Sequence, residues 1–193
     1  MDSRQMLDLV AAAGAGDDRL VLVGIGGHGG AGKTTLARMV PGAQVVSTDE
    51  FWTGEGFDIE RLSREVVTPL LAGTVARFAS YDWATRTARG ARVIEPAGVV
   101  VVEGVFALDH TLRDAYAVRI WVEAPHDVRF ARGLARDGEG ARATWVDVWM
   151  PNEATYAERD DPLSCAHLIV AAPRPSASRC RRTPPRRPSF AAP

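Results

Sequence analysis

Lysine is nearly absent from this chain. Of 23 basic residues among 193, one is a lysine, and that residue, Lys33, stands in the most glycine-rich stretch of the sequence. Cysteine is scarce as well: Cys165 and Cys180 cannot build a disulfide framework or a zinc cluster between them, so both read as free thiols. No apolar run reaches the ~18 to 20 residues that a bilayer span requires, because His28 and Glu103 cut the longest candidates; this excludes a membrane-spanning helix. Met1 to Arg4 leads into a stretch broken by Asp8, which suits neither a secretory nor a transit peptide and makes the cytoplasm the expected compartment. Acid is missing from residues 171 to 193, which carry six arginines, so residues 1 to 170 hold 17 basic and 24 acidic groups. An acidic body argues against broad nucleic-acid binding, which depends on many clustered cations.

What is present fits one soluble domain, 46% hydrophobic and 24% charged. Short apolar runs at 20–25, 43–46, 99–102, 118–122 and 167–170 read as strands. Helices are expected over 3–13, 33–40, 59–72, 127–136 and 144–159, with Pro69 kinking or splitting one of them and Pro151 interrupting another. Strands alternating with helices imply an α/β fold with a parallel sheet covered on both faces, so ligands are expected at the carboxyl ends of the strands. From Ala171 onward Pro, Ser and Arg replace large apolar residues. Residues 1–170 therefore read as the domain and 171–193 as a disordered tail.

Gly27-His28-Gly29-Gly30-Ala31-Gly32-Lys33-Thr34 satisfies the phosphate-loop pattern G-x-x-x-x-G-K-[ST], directly after one expected strand and at the start of a helix. The chemistry requires those residues. Gly27, Gly29, Gly30, Ala31 and Gly32 let the backbone turn its N–H groups toward phosphate oxygens, and Lys33 neutralises the β and γ phosphates of ATP. Thr34, followed by Thr35, offers a hydroxyl to Mg²⁺. The bland alternative is a glycine-rich turn that only packs strand on helix. A sharper rival is the dinucleotide fingerprint G-x-G-x-x-G, spelled by Gly24 to Gly29 with Asp49 about 20 residues on. Lys33-Thr34-Thr35 separates the two, since a triphosphate site needs those residues and a dinucleotide site does not.

Asp49 follows the second strand and Glu103 the third, which brings both carboxylates out beside the loop. Val99 to Glu103 has the form of a Walker-B strand, whose acid reaches Mg²⁺ directly or through water. Asp49 is the better placed to accept a proton from an acceptor hydroxyl near the γ-phosphate, which makes it a candidate both as base and beside the metal. A solvated strand-end acid is the alternative for each.

The sequence resembles the uridine kinase and phosphoribulokinase-like P-loop kinases. The resemblance rests on Gly26 to Thr35, Ser47-Thr48-Asp49-Glu50-Phe51-Trp52, Gly56-Phe57-Asp58, Tyr81-Asp82-Trp83 and Val99 to Val105, and spans residues 20 to 170. It implies a P-loop NTPase fold, ATP and Mg²⁺, and transfer of the γ-phosphoryl group to a nucleoside 5′-hydroxyl. It further implies Asp49 as general base, Asp58 as the acid holding sugar hydroxyls, and Tyr81 and Trp83 as walls for the acceptor base, where stacking tolerates different bases. Arg86 stands where the family carries a histidine that reads a pyrimidine edge. A guanidinium reads a carbonyl or a phosphate equally well, so pantothenate, nicotinamide riboside or a sugar phosphate remain open as acceptors. Arg129, Arg132, Arg136 and Arg142 resemble the family's lid arginines, with Arg132 and Arg136 the candidates to stabilise the transferring group.

Trp145, Trp149 and Met150 read as a core stripe, and His28, His110, His126 and His167 have no partners at metal-ligand spacing. A non-catalytic nucleotide-binding regulatory protein is the alternative from another functional class.

Overall fold

A computed structural model of the protein describes residues 3–14 and 19–172. The expected tail therefore lies outside the described residues, except that Ala171 ends the last strand and the Ala172 N–H bonds Glu123 O at 2.7 Å.

Five strands, β1 (Val21–Gly26), β2 (Gln44–Ser47), β5 (Val99–Glu103), β6 (Val118–Glu123) and β7 (Leu168–Ala171), form one parallel sheet in the order β2-β5-β1-β6-β7. All five expected runs are strands of this sheet. Every residue of β1 is buried, which is why it reads as a continuous apolar run rather than an alternating one. Its side chains divide between two cores. Leu22, with Val100 and Val102 of β5, faces Phe51, Leu62 and Leu108. Val21, Val23 and Ile25 face Met6 and Val10 of α1 (Ser3–Ala13) and Leu36 of α2 (Lys33–Ala37). The register sets Ile25 opposite Glu103 and Ser47 opposite Glu103, and Gly26 opposite Trp121. Thus the glycine loop, Asp49 and Glu103 all emerge at one end of the sheet.

Two features correct the sequence expectations. An antiparallel hairpin, β3 (Ala76–Asp82) with β4 (Thr87–Ile94), stands apart from the main sheet. Its signal is weak in sequence because the inward positions of β3 include the small Ala76 and Ser80, and β4 is exposed along most of its length. The second concerns the prolines: both helices are interrupted as expected, but by a π turn upstream of the proline rather than at the proline itself. Between α3 (Ile59–Leu62) and α4 (Thr68–Leu71) the chain widens into a π-helical turn over Ser63–Val67, and the Thr68 N–H reaches back five residues to Ser63 O. The same device precedes Pro151: after α5 (His126–Asp137) and α6 (Arg142–Thr144), a π turn over Trp145–Trp149 leads into α7 (Met150–Asp160), with the Met150 N–H on Trp145 O. Each proline then enters at the first turn of a re-registered segment, where its missing N–H costs little.

His110, which has no ligand-like partner in the sequence, lies between Asp109 and Asp160 in the fold. Arg159 pairs with both acids, at 3.2 Å and 2.6 Å, and ties the loop after β5 to the end of α7. Burial alone would raise the Asp160 pKa. Hydrogen bonds from Arg159 and from His110 outweigh it and hold the carboxyl below its ordinary 3.8. Because the folded value is depressed, the stability it contributes is complete above the unfolded pKa and is lost as pH falls through the folded one. Thermal unfolding below about pH 4 should therefore be less pH-sensitive in Asp160→Asn than in the wild type; equal acid slopes would refute this.

Candidate active site

A cleft of about 1130 Å³ opens at the carboxyl ends of β2, β5 and β1. Ligand pockets are typically about 300 to 1,000 Å³, so there is room for a nucleotide and a small acceptor together. Its floor is the glycine loop. Lys33 is 8% exposed and donates from Nζ to His28 O at 3.0 Å. The Thr34 hydroxyl donates to Glu103 Oε1 at 3.0 Å. No side chain caps α2 at Gly32, so the N–H groups of its first turn are left for an anion. Gly104, at φ 153° after Glu103, lies against buried Thr48 and leaves no room for a Cβ. The Glu-Gly pair is thus a packing requirement that seats the β5 acid beside the turn carrying Asp49.

The charges on this floor are tightly balanced. Burial pushes the Lys33 pKa down, opposed by Glu103, Asp49 and Glu153. Burial pushes the Glu103 carboxyl up, opposed chiefly by Lys33. Asp49 is open to the cleft, yet the surrounding walls still desolvate it enough to raise its pKa, against the pull of Lys33 and Arg136. A raised carboxylate beside a phosphate loop is a poised proton acceptor. Ser47 and Glu50 form a reciprocal capping box around the turn that presents Asp49, and the Trp83 indole N–H donates to the Asp49 carbonyl at 3.1 Å.

The fold sorts the arginines. Arg136 lines the cleft, held by the carboxylate of Asp137 and directing its charge at Asp49 and Glu103. Arg132 is not among the residues of the cleft and instead donates to the loop's backbone, 3.5 Å from Gly30 O and 3.4 Å from Ala31 O. Arg129 pairs with Glu153, and Arg142 pairs with Glu139 at the surface.

The far end of the cleft is aromatic. Trp83 meets Trp52, which meets Phe57, which meets Phe106, with ring centroids 4.9 to 5.5 Å apart. Asp58 caps α3 by accepting the Arg61 N–H at 2.8 Å and also lines this end. Tyr81 touches Trp83 edge-on but, rather than the cleft, lines a second pocket of about 440 Å³ between the hairpin and Arg61, Glu65 and Trp52. Arg86 is exposed at the hairpin tip with a left-handed φ of 55° and is not among the residues of the cleft.

Sequence reasoning missed Trp52, Phe57 and Phe106 as wall residues, although each lies within a motif it quoted or directly after one. It also missed Glu153, whose signal is a charge on the same helical face as Trp145, Trp149 and Tyr156. Trp145 is buried, as a core stripe predicts, whereas Trp149 faces the cleft.

Comparisons with known proteins agree with this arrangement. The Phosphoribulokinase / Uridine kinase family pattern matches residues 43–148. The uridine kinase of Deinococcus deserti is 33% identical over 148 residues, covering 63% of this chain and 70% of that protein. The uridine kinase of Halobacterium salinarum is 32% identical over 139 residues, 60% of this chain and 61% of that one. A solved structure of a possible uridine kinase from Bacillus stearothermophilus superposes with a TM-score of 0.63 over 88% of this chain and all of that one; at 19% identity this speaks to the fold alone. Sheet order, phosphate loop and family match lead to one conclusion: the chain belongs to the phosphoribulokinase / uridine kinase family and is a small-molecule kinase with the α/β P-loop fold.

Proposed function

We propose that this protein transfers the γ-phosphoryl group of ATP to the 5′-hydroxyl of a nucleoside. One observation carries the reading: Asp49, Lys33 at the start of the uncapped α2, and an aromatic wall with Asp58 beside it all line one cleft. ATP lies on Gly27 to Thr35, with Lys33 and the N–H groups of α2 on its phosphates. Thr34 and Glu103 supply an all-oxygen donor pair that suits Mg²⁺, which when bound neutralises charge on the phosphate oxygens. Asp49 takes the proton of the acceptor hydroxyl, and Arg136 balances charge on the transferring group. The acceptor base stacks against the aromatic wall that Trp83, Trp52 and Phe57 form, while Asp58 holds ribose hydroxyls.

Charge favours a neutral acceptor. The far end carries Glu55, Asp58, Glu60 and Asp109, and its guanidinium, Arg159, is already paired with Asp109 and Asp160. A sugar phosphate would bring further negative charge to that end. Base identity is not read from the hairpin tip, where Arg86 lies outside the cleft, so another neutral alcohol is the second reading. The relatives' names support a cytoplasmic kinase domain, and the described part of that domain runs past residue 170, through Ala171 of β7 and the Ala172 N–H on Glu123 O.

Coupled ADP release with uridine, cytidine, pantothenate, nicotinamide riboside and ribulose 5-phosphate tests this. A nucleoside should accelerate release at least about tenfold over the sugar phosphate, the discrimination expected from a ~1.4 kcal/mol charge penalty. ATP binding with no acceleration by any acceptor would replace the enzyme with a nucleotide-binding regulatory protein.

A further inference from the structure

α7 carries a carboxylate that the reaction above leaves unused. Glu153 is 6% exposed, and its Oε1 accepts the Gly29 N–H of the phosphate loop at 2.8 Å. Its Oε2 lies 3.4 Å from His28 Nδ1 and 3.4 Å from a terminal nitrogen of Arg129. Buried charges persist where partners surround them, and this one has three. The space exists because residue 29 is glycine: a Cβ there would stand 2.6 Å from Glu153 Oε1 and 2.8 Å from the Trp145 ring. Trp145 in turn fills the room that Gly133 leaves on α5, and its indole N–H donates to Asp137 at 3.0 Å. The loop, α5 and the Trp145–Asp160 segment thus share one buried junction at Gly29.

The Gly29 N–H belongs to the same planar peptide group as the His28 carbonyl. That carbonyl accepts both Lys33 Nζ at 3.0 Å and the Ala31 N–H at 3.2 Å. Pinning the N–H therefore fixes the direction of the carbonyl that holds the lysine. A carboxylate on an anion-binding loop could instead fill a phosphate seat, so that nucleotide would have to expel it. Two observations favour the first role. Glu153 borders the cleft but is almost fully covered and is held by three partners, and the N–H groups at the start of α2 carry no side-chain cap, so phosphates have a seat while Glu153 stays in place.

We propose that Glu153 is a positioning residue for the phosphate loop: by holding the His28–Gly29 peptide it presents Lys33 and the N–H groups that follow it to the phosphates of ATP. This rests on the ATP-dependent kinase reading.

The experiment compares full-length wild type with Glu153→Ala, Glu153→Asp and Glu153→Gln, measuring ATP affinity, the KM for ATP, kcat and the unfolding temperature. Loss of one charge-assisted hydrogen bond predicts that Glu153→Ala weakens ATP binding and raises KM by about ten- to hundredfold, with a smaller change in kcat. Glu153→Asp keeps the charge beside Arg129 but withdraws it from Gly29, so it should lose affinity too, and it serves if the alanine variant fails to fold. Glu153→Gln, whose amide oxygen still accepts the Gly29 N–H, should recover most of the affinity. An unfolding shift with no change in KM means a structural role only and overturns the proposal, as does ATP binding by Glu153→Ala or Glu153→Asp that equals or exceeds the wild type. Wild-type protein that binds no ATP takes the kinase reading down with it; wild-type binding matched by the variants removes Glu153 alone.

Discussion

Asp49→Asn is expected to lower turnover by about 10²- to 10⁴-fold, the contribution of a positioned general base, while ATP affinity measured without magnesium stays within about threefold of the wild type. The geometry motivates this asymmetry. Asp49 does not belong to the loop that would grip phosphates; it sits on the turn after β2, fixed by the Ser47–Glu50 capping box and by the Trp83 indole on its carbonyl. Asparagine keeps the shape and the turn but cannot take the acceptor proton. The measurement is kcat with the best acceptor from the panel, alongside equilibrium binding of ATP. Should turnover fall less than about tenfold, proton acceptance by this residue is not what limits the reaction. Should binding fail in parallel with turnover, Asp49 holds nucleotide rather than activating the acceptor.

Lys33→Ala should weaken ATP binding by at least about 100-fold, because the ammonium makes charge-assisted contacts worth roughly 1.5 to 3 kcal/mol each and two phosphates lie within its reach. The loss extends beyond those contacts. Lys33 is the main cation opposing the desolvation of both Asp49 and Glu103, so its removal leaves two crowded carboxylates facing an incoming polyanion. A second measurement avoids mutation altogether. Since the chain holds one lysine, an amine-reactive reagent can add at Lys33 or at the amino terminus and nowhere else. ATP should protect Lys33, and modification that proceeds at the same rate with saturating ATP would place the phosphates elsewhere.

The sheet was legible before any coordinates because its signals are local. Val99 to Val102, or Leu20 to Ile25, can be buried on both faces only as inner strands of a parallel sheet, and strand order then carries the acids that follow them to one edge. The phosphate loop was legible for a related reason: a lysine that is unique in the chain, preceded by five glycines in seven residues, has few other uses. The hairpin was not, because half of its residues answer to solvent and its inward positions mix small Ala76 and Ser80 with Phe78 and Ile94. The interruptions near Pro69 and Pro151 were legible, but not their form, because a π turn upstream is a hydrogen-bond shift that residue preferences barely mark.

Sequence by itself determined the parallel α/β architecture, the phosphate loop and the two acids beside it, since each depends on residues adjacent in the chain or on the ends of strands. Only tertiary structure decided which of four arginines enters the cleft, that Tyr81 and Arg86 line no part of it, and that Glu153, 124 residues away from Gly29, holds the loop. Those outcomes depend on helix rotation, hairpin packing and the volumes that Gly29 and Gly133 leave for Trp145. They are distances between segments far apart in sequence, which packing sets and local pattern does not encode.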